Sequence, residues 1–224
     1  MAALDFYFDF ISPYAYLGWT QIHALAARHG REVHAIPALF AAMLKHSGTL
    51  GPAEIPLKRV YIFKDTIRTA RHFGVPFSAP PSHPFNPLLA LRVATVDPSR
   101  EVIAALYRAA WGGGEGIETE ALVTRALDAA GIAAAPLIAA ANEPATKQKL
   151  RDATDAAIAA GVFGVPTVIA EGPTVDVPGG PERELFWGVD SFPHLERFLA
   201  GGDPISAADS AAFARLAPSV HRPR

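Results

Sequence analysis

The opening stretch, up to about residue 40, constrains the fold more than any other part of the chain. Leu4, Phe6, Phe8 and Phe10 alternate with Asp5, Tyr7 and Asp9, a period of two with aromatic enrichment that predicts a strand. Ser12 and Pro13 follow. Serine is favoured as a helix N-cap, and proline at the first helical position, where its missing N–H would lack a partner anyway. Tyr14, Leu17, Gly18, Ile22 and Leu25 then lie along one helical face, with Gly30 placed to end the helix. Val33 to Pro37 reads as a second strand. The product is a β-α-β unit, whose crossover should be right-handed.

From about Leu39 to Gly161 period-two patterning is almost absent, and helices are predicted instead. They run from Ala53 or Pro56 to Phe73, Asn86 to Val96, Ser99 to Trp111, Glu118 to Ala130, Pro136 to Ala141 and Pro144 to Ala160. Gly74, Asp97-Pro98, the Gly112–Gly114 run, Gly131 and Gly161 supply their stops. Strand signals return at Pro166–Ala170 and Glu184–Trp187, separated by a Pro/Gly-rich turn at Val177–Pro181, and an amphipathic helix from Ser191 to Leu199 closes the unit. A polar tail after Gly201 has room for one short helix, Ala207 to Leu216.

This order is β-α-β, a helical block, then β-β-α, which predicts an α/β chain with a thioredoxin-like fold and a large all-helical insertion domain. The expected division is residues 1–40 and 162–200 for the two halves of the thioredoxin-like domain, 41–161 for the insertion and 201–224 for the tail.

Composition narrows the chemistry. Half the residues are hydrophobic and 19% are charged, enough apolar surface to bury a core. The net charge of −2 leaves no basic excess of the kind that binds nucleic acid or an anionic membrane. Residues Met1 to Phe10 carry two aspartates and no basic segment, unlike a secretory signal, and no run is long enough to span a membrane, so a cytoplasmic protein is expected. The chain has no cysteine. That removes disulfide exchange, protein thiolate nucleophiles and cysteine-ligated zinc, so any sulfur chemistry must come from a ligand. The eight histidines form no HExxH or compact ligand set, and His72 and His83 read as surface or loop residues. Gly112–Gly116 reads as a loop rather than a phosphate cradle, and Ser12 has no GxSxG context.

Two places could carry chemistry. Ser12 sits at the junction of the first strand and first helix, where unpaired N–H groups and the helix dipole favour a negative charge. Its hydroxyl is either an N-cap alone or also a donor to a bound thiolate. Pro166, directly before a buried strand, is either a strand-entry proline or a cis-proline lying against the first helix. In the second case the Val165 backbone is free to pair with an extended peptide.

Six segments carry a resemblance: FDFISPYAYLG (Phe8–Gly18), LKHSGTLGPAEIPLKRVYIFKD (Leu44–Asp65), GVPF (Gly74–Phe77), HPFNPLLALR (His83–Arg92), GVFGVPTVI (Gly161–Ile169) and LFWGVD (Leu185–Asp190). In this order, over roughly residues 4–200, the chain resembles the 2-hydroxychromene-2-carboxylate isomerases, which belong with the kappa-class glutathione transferases in the DsbA-like branch of the thioredoxin fold. The resemblance implies glutathione as cofactor, with Ser12 activating its thiol, Pro13 and Tyr14 lining the sulfur end, and Val165 and Pro166 meeting the cysteinyl unit. It also implies Thr49 near glutathione, and Val189 with Asp190 at the γ-glutamyl amine. Lys45 would hold a substrate carboxylate, Lys58 the glycine carboxylate or solvent alone, and Asn86 would line the substrate pocket or cap the next helix.

The implied reaction is isomerisation of an aromatic-degradation intermediate through a reversible thiol adduct, in a homodimer acting on a small aromatic substrate. A kappa-like transferase conjugating electrophiles and a non-catalytic thiol- or peptide-binding module are the alternatives. The chain departs from the family at Thr49, often asparagine, and at Ser191, often arginine.

Overall fold

A computed structural model describes residues 3–172 and 183–217. Strands β1 (Leu4–Phe8), β2 (Val33–Pro37), β3 (Thr167–Glu171) and β4 (Arg183–Trp187) form one sheet in the order β2-β1-β3-β4. β1 runs parallel to β2 and antiparallel to β3, and β3 runs antiparallel to β4. Helix α1 (Pro13–Arg28) makes the crossover from β1 to β2. Between β2 and β3 come α2 (Phe40–Ser47), α3 (Pro56–Phe73), α4 (Leu88–Val96), α5 (Arg100–Trp111), α6 (Glu120–Asp128), α7 (Ala134–Asn142) and α8 (Pro144–Ala159). Helix α9 (Phe192–Leu199) follows β4, and α10 (Ala207–Phe213) lies in the tail. The α/β architecture with a helical insertion is the one the element order predicts.

Both faces of the sheet are covered. Phe6, Phe8, Val168 and Phe186 pack with Leu17 and Ile22 of α1, Leu195 and Phe198 of α9, and the helical block. On the other face Tyr7 and Ile169 join Met43 of α2 and Ala157 of α8 in a smaller cluster. The large cluster is rich in rings: Tyr107 of α5 lies 4.7 Å from Phe10 and 5.9 Å from Phe8. Covering both faces explains why alternation in β1 marks two different cores rather than core and solvent.

Several expected boundaries move. β1 ends at Phe8, not Phe10, because Asp9 turns inward to accept backbone N–H bonds. α4 begins at Leu88 rather than Asn86, whose side chain instead accepts from the Leu88 N–H at 3.1 Å. α2 was not expected at all. The Val177–Pro181 turn lies outside the described residues. No helix among the described residues is long and apolar enough to cross a membrane.

Candidate active site

Helix α1 starts where β1 delivers it, and Ser12 is its N-cap, 8% exposed. The hydroxyl accepts from the Ala15 N–H at 3.1 Å and donates to the Val165 carbonyl at 3.2 Å. The Ser12 hydroxyl therefore caps the helix, and its one proton points across the chain to the residue before Pro166. While Val165 holds that proton, no other acceptor can. The Val165–Pro166 peptide is cis.

The β3–β4 ladder fixes what stands opposite. Thr167 pairs with Trp187, and the Gly188 N–H donates to the Pro166 carbonyl at 2.9 Å. This carries Gly188, Val189 and Asp190 up beside Val165 and Pro166. Gly188 has φ 84°, a left-handed conformation that a side chain would resist. Gly164 permits a close approach of another kind: a Cβ there would lie 2.6 Å from the Trp187 indole nitrogen.

A cleft runs along this junction in two halves that share Tyr14, Val165 and Trp187. The polar half, about 470 Å³, adds Tyr61, Asp65 and Thr69 of α3 with Pro166, Val189 and Asp190. Tyr14 donates its hydroxyl to Asp65 Oδ2 at 2.8 Å. Burial, that hydrogen bond and the charges of Asp65 and Asp190 hold the Tyr14 phenol well above its ordinary range, so it stays a donor. The apolar half, about 440 Å³, opens on Ser12 and Pro13 and is walled by Phe40, Ala41 and Leu44 of α2, Pro52, Ala53 and Glu54 of the next turn, and Ile62 of α3.

Two residues that hold this cleft together escaped the sequence. Asp9, 2% exposed, accepts from the Ile11 N–H through Oδ1 and from the Phe40 N–H through Oδ2, each at 3.0 Å. It thus ties the turn before Ser12 to the start of α2. Burial pushes its carboxyl up to about 6, although both N–H bonds pull the other way. His83, read as a surface or loop residue, lies in a loop, but its ring packs against Phe63 and Trp111 at 5.5 Å. Its Nε2 donates to the Ile11 carbonyl at 2.9 Å, while among the described residues its Nδ1 has no hydrogen-bond partner. Burial lowers its pKa. The HPFNP segment signalled a loop; nothing local signals a contact 72 residues away.

The structure brings Ser12, Pro13, Tyr14, Val165, Pro166, Val189 and Asp190 together. It does not bring Thr49, Lys45, Lys58 or Asn86 into the lining; all four are exposed. Thr49 bonds to Ser47 at 2.9 Å, and Asn86 shapes the start of α4. Lys58 stands one turn before Ile62 on the α3 stripe that continues to Asp65 and Thr69, just beyond the cleft.

Chemically, a helix N-terminus with a hydroxyl suits a sulfur anion, and an exposed carboxylate suits an ammonium. The thiol and amine ends of glutathione fit the residues present.

Comparison with known proteins agrees at the level of the fold. The chain is 29% identical over 198 residues to rat glutathione S-transferase kappa 1, covering 81% of this chain and 88% of that protein. It is 28% identical over 200 residues to the 2-hydroxychromene-2-carboxylate isomerase of Sphingobium xenophagum, covering 88% and 97%. A solved 2-hydroxychromene-2-carboxylate isomerase superposes with a TM-score of 0.75 at 24% identity, covering 96% of this chain and all of that one. The pattern of the DSBA-like thioredoxin domain matches residues 3–200, and the chain belongs to that family.

Proposed function

We propose that the chain is a glutathione-dependent isomerase acting on 2-hydroxychromene-2-carboxylate or a related conjugated compound. The observation that carries this reading is the Ser12 hydroxyl, at the N-terminus of a 16-residue helix, bonded to the carbonyl that precedes cis-Pro166. When bound, glutathione supplies a thiolate that adds to an electron-poor conjugated carbon and leaves again, letting the former double bond rotate in between.

The chain's own residues prepare for it. The start of α1 favours an anion beside Ser12. The Ser12 hydroxyl, which now donates to the Val165 carbonyl, turns its proton to the incoming anion, and Val165 is released to pair with the ligand's peptide backbone. Pro13 and Tyr14 line the sulfur end, and Pro166 and Val189 shape the cysteinyl side. Asp190 takes the ammonium, and Lys58, exposed and outside the lining, is assigned the glycine carboxylate. Thr49, Lys45 and Asn86 are assigned no ligand contact. The apolar half excludes water from the reacting carbons.

A second reading, conjugation that consumes glutathione, draws on the identity to the rat transferase. Glutathione loss per turnover separates the two. The test of the shared core is titration calorimetry with glutathione in buffers of different ionisation enthalpy, on the wild type and on Ser12→Ala. The expected result is binding with proton release in the wild type and without it in the variant. Absence of binding at millimolar glutathione overturns the proposal. Equal proton release in both proteins removes Ser12 from its role. Unaltered turnover by Ser12→Ala would remove it too.

A further inference from the structure

Charge is distributed across the cleft in a way that bears on its substrate. Among the described residues Glu54 is the only charged side chain in the lining of the apolar half. Its Oε1 accepts from the Gly51 N–H at 2.7 Å, which folds the carboxylate back over the short turn Pro52–Glu54. Among the described residues no cation lies within ion-pair distance of it. Lys45 follows Leu44 on α2 and Lys58 stands one turn before Ile62 on α3, but both are exposed and outside the lining. Arg59 is also outside the lining, its Nε–H given to the Ala53 carbonyl at 2.6 Å. His83 commits Nε2 to the Ile11 carbonyl, and burial disfavours its charged form.

With the glutathione sulfur at Ser12, a carboxylate entering the rest of this half would leave water for apolar walls, find no cationic side chain in the lining among the described residues, and face the Glu54 carboxylate. A neutral carbonyl compound would bury its apolar surface without that penalty. Resting on the glutathione-dependent reading above, we propose that the apolar half takes an uncharged, apolar conjugated ketone or aldehyde in preference to a carboxylate-bearing one, with Glu54 as the residue that sets the preference. The substrate is then a relative of the chromene carboxylates that lacks the acid group. The step remains balanced: the carbon–sulfur bond forms as the π pair moves onto the carbonyl oxygen. That pair returns as the same bond breaks, so no oxidant or reductant is required.

The test uses benzylideneacetone and benzylidenepyruvate, which share one arylidene ketone skeleton and differ by a methyl group against a carboxylate. Binding to the full chain saturated with S-methylglutathione, which occupies the Ser12 end without offering a thiol, is followed by quenching of tryptophan fluorescence, since Trp187 lines the cleft and is 53% exposed. Calorimetry provides a second readout. The neutral ligand should bind at least tenfold more tightly. Glu54→Gln, which keeps an acceptor for the Gly51 N–H, should improve the carboxylate several-fold and leave the neutral ligand unchanged; Glu54→Lys should reverse the order. Equal or tighter binding of the carboxylate by the wild type, or failure of both ligands to bind, overturns the proposal. A preference unmoved by either variant removes Glu54 from it. Neutral-ligand preference without turnover in the presence of glutathione would instead leave this proposal standing and sink the isomerase reading.

Discussion

The polar and apolar halves of the cleft meet along Tyr14, Val165 and Trp187, yet they are built in opposite ways. The polar half joins the α3 stripe to the turn after β4, and it presents two carboxylates and exposed backbone. Its position follows from strand register, since β3 and β4 pair residue by residue up to Thr167 and Trp187. The apolar half rests on side-chain packing from α2 and α3 over a cluster of rings around Trp111. Backbone pairing places charge recognition accurately, whereas packing defines a volume. One half is therefore suited to a single polar ligand and the other to a range of apolar ones.

The strongest way to break this contrast is at Trp111. Its side chain is fully buried, and its Nε1 donates to the Phe10 carbonyl at 2.7 Å. Phe77 stacks on it at 5.8 Å, and His83 packs at 5.5 Å. Trp111→Ala should cost roughly 3–5 kcal/mol in denaturant unfolding, as large-to-small core changes do. Trp111→Phe keeps a ring but leaves the Phe10 carbonyl unpaired, and should cost about 2 kcal/mol. In that folded variant the neutral ketone should bind more weakly while glutathione binding holds. Equal losses in both would show that the halves are not mechanically separate.

Asp9 ties the turn before Ser12 to the start of α2, both in the apolar half, and gives the next effect, through pH. Its carboxyl, ordinarily near 3.8, is held up to about 6 in the fold. An acid raised on folding keeps its proton in the folded state where the unfolded chain has already lost it. Its contribution is therefore fully present below about pH 4 and is lost as pH rises through about 6. Two pH units correspond to roughly 3 kcal/mol. Asp9→Asn does not titrate, so wild-type stability relative to the variant should fall by about that amount between roughly pH 4 and 7. A flat difference would mean that Asp9 is ionised throughout.

The same residue explains what could be read in the sequence. β1, α1 and β2 announce themselves through alternation and the Ser-Pro start, and the closing hairpin through its β-branched run; each signal lies within a few residues. α2 carries no such signal. Leu39 stands at its N-cap without a side-chain cap, and the service is supplied from afar. Asp9 accepts the Phe40 N–H, and Thr154 of α8 accepts the Leu39 N–H at 3.0 Å. A helix whose start is satisfied through tertiary contacts leaves no local mark, and the wall it builds was missing from the sequence reading for that reason. His83 lies in the loop that its segment signals, but its contact leaves no local mark either, its partner Ile11 being remote in the chain. Ser12 and Val165 stand out in the sequence because a helix start and a strand start place them, whatever packs around them; Asp190 is a candidate only through the resemblance.

The finest test separates the halves by reciprocal substitution. Asp190 is exposed, so its pairing with an ammonium is screened by water and worth about 1 kcal/mol or less. Asp190→Asn should weaken glutathione binding roughly threefold to fivefold, an effect that shrinks in high salt, and leave the neutral ketone untouched. Leu44→Ala removes partly buried apolar surface from the other wall and should weaken the ketone by a similar factor, without salt dependence and without changing glutathione. In the double variant each ligand should show only its own single-variant loss, because the sites share no side chain that either substitution alters. If Leu44→Ala also weakens glutathione, α2 contacts both ligands, and the boundary between the halves lies closer to Asp190 than the Tyr14–Val165–Trp187 line.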